Sequence, residues 1–261
     1  MSKSISVIVP TFREPSHLSL CLESLIKGQD NDNEIIVVCD GYRIENQHVL
    51  DKWKDNIKVL DLETNQGLAR ATNYGCYVAS CELILIINDD NVMPNQWDSR
   101  LLQDYEDNSV ISINQIEPVP SMFRQFYIKN FGRTVSEFNL SKFTEEELNI
   151  SNTYGKECGY IDNTGSTLPF LISKRNFLML GGWDIEYNKL GVCVDWDFFL
   201  KVSLSHLKIK RTYRVHVYHF VSVSTGTNRQ EIERIGHDFA KYKWGYYIQH
   251  DPYTNKKYLA R

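Results

Sequence analysis

Leu83-Ile84-Leu85-Ile86-Ile87-Asn88-Asp89-Asp90-Asn91 decides the fold: five aliphatic residues in a row run straight into a pair of carboxylates. An unbroken apolar run of this length, rather than an alternating one, suits a strand covered on both faces, as in a parallel sheet flanked by helices. Two earlier stretches have the same form. Ile5-Ser6-Val7-Ile8-Val9 runs into Pro10-Thr11-Phe12-Arg13, and Glu34-Ile35-Ile36-Val37-Val38-Cys39 runs into Asp40-Gly41-Tyr42. Helical patterns lie between them: Pro15 to Gly28, with Leu18, Leu22 and Leu25 on one face, then Ile44 to Lys54 and Gly67 to Ala79. Ile57 to Leu60 reads as one more strand. The alternation predicts an α/β chain with a mainly parallel central sheet and flanking helices. In such sheets ligands sit beyond the carboxyl ends of the strands, so the three polar clusters should face one crevice.

The second half is less regular. Residues 133–157 form a polar stretch containing Thr144-Glu145-Glu146-Glu147, read as a mobile insertion with a short helix. Thr167 to Ile172 reads as a strand, Lys174 to Leu180 as a short helix closed by Gly181-Gly182, and Phe198 to Leu207 as a helix opened by Asp195 or Asp197. Tyr213 to Phe220 alternates as a strand, and Gln230 to Gln249 reads as a helix with an aromatic face.

The chain has 261 residues, 42% apolar and 24% charged, enough for a packed core without staples. Its longest aliphatic stretch is far short of the ~20 residues of a membrane-spanning helix. With no signal-like opening, a cytoplasmic location is expected. Six scattered cysteines without Cys-x-x-Cys spacing read as buried thiols. The net charge of −4 argues against nucleic acid as a partner. The charge is uneven: from Lys208 to Arg261 eleven Lys and Arg face four Asp and Glu, a local +7 that leaves −11 on the first 207 residues.

Four features could carry chemistry. Adjacent Asp89 and Asp90 repel each other unless a cation relieves them, and hard divalent cations prefer oxygen ligands; the bland reading is a solvated turn. Asp40 before Gly41 is either a turn residue or an acceptor for a ring N–H. Asp195 and Asp197 flank Trp196 at a helix start, where they either cap the helix or supply a general base. His219 shares a strand face with Val215 and Val217, and is either a core histidine or a ligand.

In this order the clusters resemble family-two glycosyltransferases, inverting enzymes of the A-type nucleotide-sugar fold. The resemblance rests on Ser6-Val7-Ile8-Val9-Pro10-Thr11-Phe12, on Glu34 to Gly41, and on Asn65-x-Gly67-Leu68-Ala69-Arg70-Ala71-x-Asn73-x-Gly75. It continues through Asn88-Asp89-Asp90-Asn91 with Pro94 and Trp97, Gly181-Gly182-Trp183-Asp184, Asp195-Trp196-Asp197, and His219 with Ser222. Val194 and Cys39 stand where the family usually carries acidic residues, and Tyr42 where a small polar one is usual.

The resemblance implies a Rossmann-like nucleotide-sugar and metal-binding half (1–110) fused to an acceptor-binding half with the catalytic base (111–228). It implies transfer of a sugar from a nucleoside diphosphate (UDP, dTDP or GDP type) to a glycan or lipid-linked acceptor, with Mn²⁺ or Mg²⁺. Asp90 and His219 would hold the metal; Pro10, Thr11, Asp40, Arg70 and Asp89 would contact the nucleotide; Asp195 would be the base. A sugar-phosphate nucleotidyltransferase would need a Gly-rich phosphate loop after the first strand, which Thr11 to Pro15 is not. A non-catalytic nucleotide-sugar binding protein would dispense with the base. For residues 229–261, basic and aromatic, three readings stand open: peripheral membrane contact, subunit pairing as a homodimer, and packing back on the body. The last is preferred, because Ile232, Ile235, Phe239, Tyr242 and Tyr246 fall on one helical side and leave the basic residues to solvent.

Overall fold

A computed structural model describes residues 4–120, 127–157, 160–162, 167–187, 191–221, 229–251 and 256–261. The first half runs β1 (Ile5–Thr11), α1 (Pro15–Gly28), β2 (Glu34–Cys39), α2 (Arg43–Trp53), β3 (Lys58–Asp61), α3 (Leu68–Val78), β4 (Leu83–Ile86), β5 (Asn91–Val92) and α4 (Trp97–Leu102). Then follow β6 (Ser109–Glu117), β7 (Tyr127–Ile128), α5 (Leu140–Glu157), β8 (Tyr160–Asp162), β9 (Phe170–Ser173), α6 (Lys174–Met179), α7 (Val194–Leu204) and β10 (Lys208–His219). The chain closes with α8 (Arg229–Trp244) and the hairpin β11 (Tyr247–His250) and β12 (Lys257–Ala260).

One sheet in the order β3-β2-β1-β4-β9-β6-β10-β5, with β7 on β6 and β8 on β10, forms the centre. β1, β2, β3 and β4 are parallel, as are β6 and β10, but β9 inserts antiparallel between β4 and β6. The sheet is therefore mixed. Its apolar strands are buried on both faces, as the unbroken runs require. One face packs α1, α2 and α4 through Leu18, Leu22, Val49, Trp53, Trp97 and Leu101. The other packs α3, α6, α7 and α8 through Ala71, Cys76, Phe177, Phe198 and Ala240. Gly75 lets α3 lie directly on β1, since a Cβ there would meet Ile8 Cγ2 at 2.5 Å.

Four expectations need correction. Residues 140–157 are one long helix rather than a mobile insertion with a short one. Its inward face is partly polar, with Phe143 beside buried Glu147 and Ser151, so an apolar stripe does not reveal it. The C-terminal helix ends at Trp244, where Gly245 takes φ 73°, and the chain turns into the hairpin. Ile235 and Tyr242 are exposed; the inward side lies one step round, at Gly236, Phe239 and Ala240. The cause is a close approach: a Cβ on Gly236 would meet the Val192 carbonyl at 2.7 Å. Nor do all the basic residues face solvent, because Lys257 is 1% exposed and Lys243 turns inward to Asp197.

Candidate active site

The three polar clusters lie at the carboxyl ends of β1, β2 and β4. The Thr11 hydroxyl, at the last position of β1, donates to Asp89 Oδ2 at 2.7 Å. Burial pushes the Asp89 carboxyl up to about 7, repulsion from Asp90 adds to this, and the Thr11 bond opposes it. Asp90 is brought to His219 by strand pairing. β5 lies antiparallel on the end of β10, with Asn91 opposite His219, and the Phe220 N–H donates to the Asp90 carbonyl at 3.2 Å. His219 Nε2 is 3.5 Å from Asp90 Oδ2, and His219 Nδ1 is 3.0 Å from Glu117 Oε1 at the end of β6. Burial opposes charge on His219, yet Asp90 and Glu117 outweigh it and push the imidazolium up to about 10. Burial would raise Asp90, but His219 holds it below the ordinary value.

This cluster is short of hydrogen bonds. Among the described residues Asp90 Oδ1, Glu117 Oε2, both amide heteroatoms of Asn91 and both ring nitrogens of His17 are buried without a hydrogen-bond partner. His17, in the first turn of α1, sets its ring edge-on to Phe220 with centroids 5.0 Å apart, and its charge would act on Asp90. The donor set fits a hard divalent cation. Adjacent ligands of an octahedral ion with bonds of about 2.1 Å lie about 3 Å apart, so a shift of about half an ångström brings Asp90 and His219 to one ion. Among the described residues no group of three or more His, Cys, Asp or Glu side chains is placed to hold a metal ion, so the pair Asp90 and His219 would share it with the donor.

Asp40 is buried, and its carboxylate joins β2 to the start of α3. Oδ1 accepts from the Gln66 N–H at 2.6 Å and Oδ2 from the Gly67 N–H at 2.9 Å. Pro10 is buried in β1 opposite Val38, and Arg70 stands exposed on the first turn of α3. Beyond β1 and β2, Phe12 and Tyr42 meet edge to face at 4.7 Å, and the Arg13 guanidinium lies 4.7 Å from the first ring and 5.3 Å from the second.

The far side is built on the start of α7. Gly191, just before it, sits where a Cβ would strike the Leu68 side chain at 2.7 Å, so the α7 start abuts the α3 start that Asp40 holds. Asn73 fixes the adjoining loop, donating to the Trp183 carbonyl at 2.7 Å and accepting from its N–H at 2.9 Å. The two acidic residues then part. Asp197 is fully buried and saturated: Trp244 Nε1 donates at 2.7 Å, Lys243 Nζ at 2.8 and 2.9 Å, and Tyr187 OH lies 3.4 Å away. It anchors the C-terminal helix. Asp195 is half-buried; burial pushes its carboxyl above the ordinary value, and the ammonium of Lys257 partly offsets this. Lys257, on β12, lies 4.9 Å from the Trp196 ring, whose edges also meet His237 and His250. Burial pulls Lys257 down to about 7, with Asp195 opposing and Arg211 adding to the fall.

Sequence reasoning missed Glu117, His17, Lys243 and Lys257. Glu117 had a weaker signal: Val110 to Ile116, interrupted by Ser112, Asn114 and Gln115, runs into Glu117-Pro118 as β1, β2 and β4 run into their clusters. Ser222 and Cys158 lie outside the described residues; the other five cysteines are free thiols.

The anchor role has a direct consequence. Asp197→Asn removes the buried one of the two carboxylates on Lys243, the other being Asp184 at 2.6 Å, and is expected to cost about 1.5 kcal/mol of stability through the weakened bonds to Lys243 and Trp244. Chemical denaturation checks this, and a wild-type midpoint would contradict it.

Comparisons with known proteins agree with the geometry. The family model "Glycosyl transferase family 2" matches residues 6–162. The chain is 24% identical over 246 residues to an uncharacterized glycosyltransferase of Haemophilus influenzae, covering 91% of this chain and 77% of that one. It is 22% identical over 200 residues to a poly-β-1,6-N-acetyl-D-glucosamine synthase of Staphylococcus epidermidis, covering 76% of this chain and 46% of that one. Its fold is similar to the crystal structure of GalNAc-T7 with UDP, GalNAc and Mn²⁺, with a TM-score of 0.61 at 15% identity over 92% of this chain and 50% of that one. The chain thus spans about half the length of the last two. A family match across more than half the chain, on a sheet that gathers the acidic strand ends at one crevice, means that this chain belongs to glycosyl transferase family 2 and is a glycosyltransferase of the A-type fold.

Proposed function

We propose that the chain moves a sugar from a nucleoside diphosphate of the UDP, dTDP or GDP type to the hydroxyl of a glycan or lipid-linked acceptor, with inversion, using Mn²⁺ or Mg²⁺. The observation that carries this reading is the hydrogen-bond-poor pair Asp90 and His219 at the end of β4, together with a separate half-buried carboxylate, Asp195, with a raised pKa. Asp90 and His219 would hold the cation, which when bound neutralises charge on the departing diphosphate. Asp89, fixed by Thr11, turns to the ribose or the metal. Pro10, Thr11 and Asp40 line the base pocket, and Arg70 reaches towards the nucleotide or its phosphates. Asp195 takes the proton of the acceptor hydroxyl as its oxygen bonds to the anomeric carbon and the bond to the diphosphate oxygen breaks on the opposite face. A single displacement inverts the configuration.

On this reading residues 1–110 hold the donor and 111–228 the acceptor and base, although His219 returns to the donor side through β5. Residues 229–261 pack on the body at α7. The similarity to a polysaccharide synthase supports a growing glycan as acceptor. Incubation with labelled UDP-, dTDP- and GDP-sugars tests the proposal. The expected result is metal-dependent nucleoside diphosphate release and a product of inverted anomeric configuration by proton NMR. Retained configuration, or turnover unaffected by EDTA, would contradict it.

A further inference from the structure

We infer that Glu117 is a positioning residue for the metal site, a carboxylate that fixes the ring of His219 so that Nε2 faces the cation. The inference rests on the reading that Asp90 and His219 hold that cation. Glu117 ends β6, a strand whose nine residues are all buried, and is itself 3% exposed. Its placement comes from the backbone. β6 runs parallel to β10 with Ile116 beside Tyr218, β7 pairs Ile128 with Glu117, and the Glu117 carbonyl accepts from the Lys129 N–H at 2.9 Å. The side chain therefore starts from a fixed point: Glu117 follows Ile116 on β6 as His219 follows Tyr218 on β10.

A carboxylate buried at a strand end is costly unless it is paired, and its partner here is His219 Nδ1 at 3.0 Å. With the Nδ1 proton held by Glu117, the Nε2 atom 3.5 Å from Asp90 is the one left to carry a lone pair to a metal. A histidine ligand braced through its other nitrogen by a carboxylate keeps both tautomer and ring orientation. Among the described residues the second oxygen, Oε2, has no hydrogen-bond partner, which leaves the bond to His219 as the contact that holds this carboxylate.

The test is Mn²⁺ binding to the full chain, measured by calorimetry and by the ¹⁴N coupling that an imidazole ligand imposes on the Mn²⁺ spin resonance. Glu117→Leu removes the brace but keeps an apolar side chain of similar length. Glu117→Gln keeps an oxygen able to accept the Nδ1 proton but loses the charge. Glu117→Leu is expected to weaken Mn²⁺ about 10- to 100-fold and to reduce the ¹⁴N coupling, and Glu117→Gln to weaken it less. Folded Glu117→Gln and Glu117→Leu proteins with wild-type Mn²⁺ affinity and coupling would overturn the inference. Asp90→Asn and His219→Ala serve as controls. If these bind Mn²⁺ like the wild type, or the wild type binds none, the assignment of the metal site itself has failed.

Discussion

Asp90→Asn is expected to lower transfer by about 10²- to 10³-fold, the loss seen when one preorganised group that meets developing charge is removed. Metal-dependent nucleotide binding should fall with it. The fold should survive. The substitution gives up the contact to His219 at 3.5 Å but relieves repulsion that helps drive Asp89 up to about 7, and His219 keeps Glu117. The melting temperature of the metal-free variant should accordingly stay within a few degrees of wild type. Steady-state transfer with and without EDTA reads the effect, and an Asp90→Asn protein with full activity would remove Asp90 from the metal site.

Asp195→Asn should abolish most turnover, by about 10²- to 10⁴-fold, while donor affinity changes only a few-fold, because in the proposed mechanism the residue acts on the acceptor. The pH profile carries the sign of its environment. A base works ionised, and burial lifts this carboxyl above the usual aspartate value, so turnover should rise with pH through a limb placed above that value. The Lys257 ammonium lowers the Asp195 pKa, so Lys257→Met should move the limb to higher pH. Wild-type kcat in Asp195→Asn would show that another group takes the proton. Asp197 is a poor substitute, with its oxygens already committed to Lys243 and Trp244.

The first half of the chain was legible because its signals are local. The helix expected from Pro15 to Gly28 is observed over those residues, and the one expected from Gly67 to Ala79 runs from Leu68 to Val78. The three strands that end in Thr11, Cys39 and Ile86 announce themselves as apolar runs entering polar clusters, and the sheet topology then places those clusters together. The second half depends on contacts far apart in sequence. Lys243 looks like one of several surface lysines until Asp197 is found opposite it, 46 residues away. Glu147 sits in an acidic run that reads as solvated, yet Arg100 reaches it at 2.6 Å from α4, 47 residues away. Buried ion pairs of this kind leave no periodic trace, because each partner alone resembles an exposed residue. The inward stripe of α8 was misplaced for a related reason: a glycine at close approach, not the largest apolar side chains, sets which face turns inward.

Metal-dependent binding of nucleoside diphosphates tests the central claim most directly. Thermal unfolding of the wild-type chain with UDP, dTDP or GDP, each with Mn²⁺ and again with EDTA, reads it in one series. At least one nucleotide should raise the midpoint with Mn²⁺, by the equivalent of about 2.7 kcal/mol at 100 Kd, and lose that effect in EDTA. No shift with any of the three in Mn²⁺, or a shift that EDTA leaves intact, would contradict the claim that this crevice binds a nucleotide-sugar through a cation.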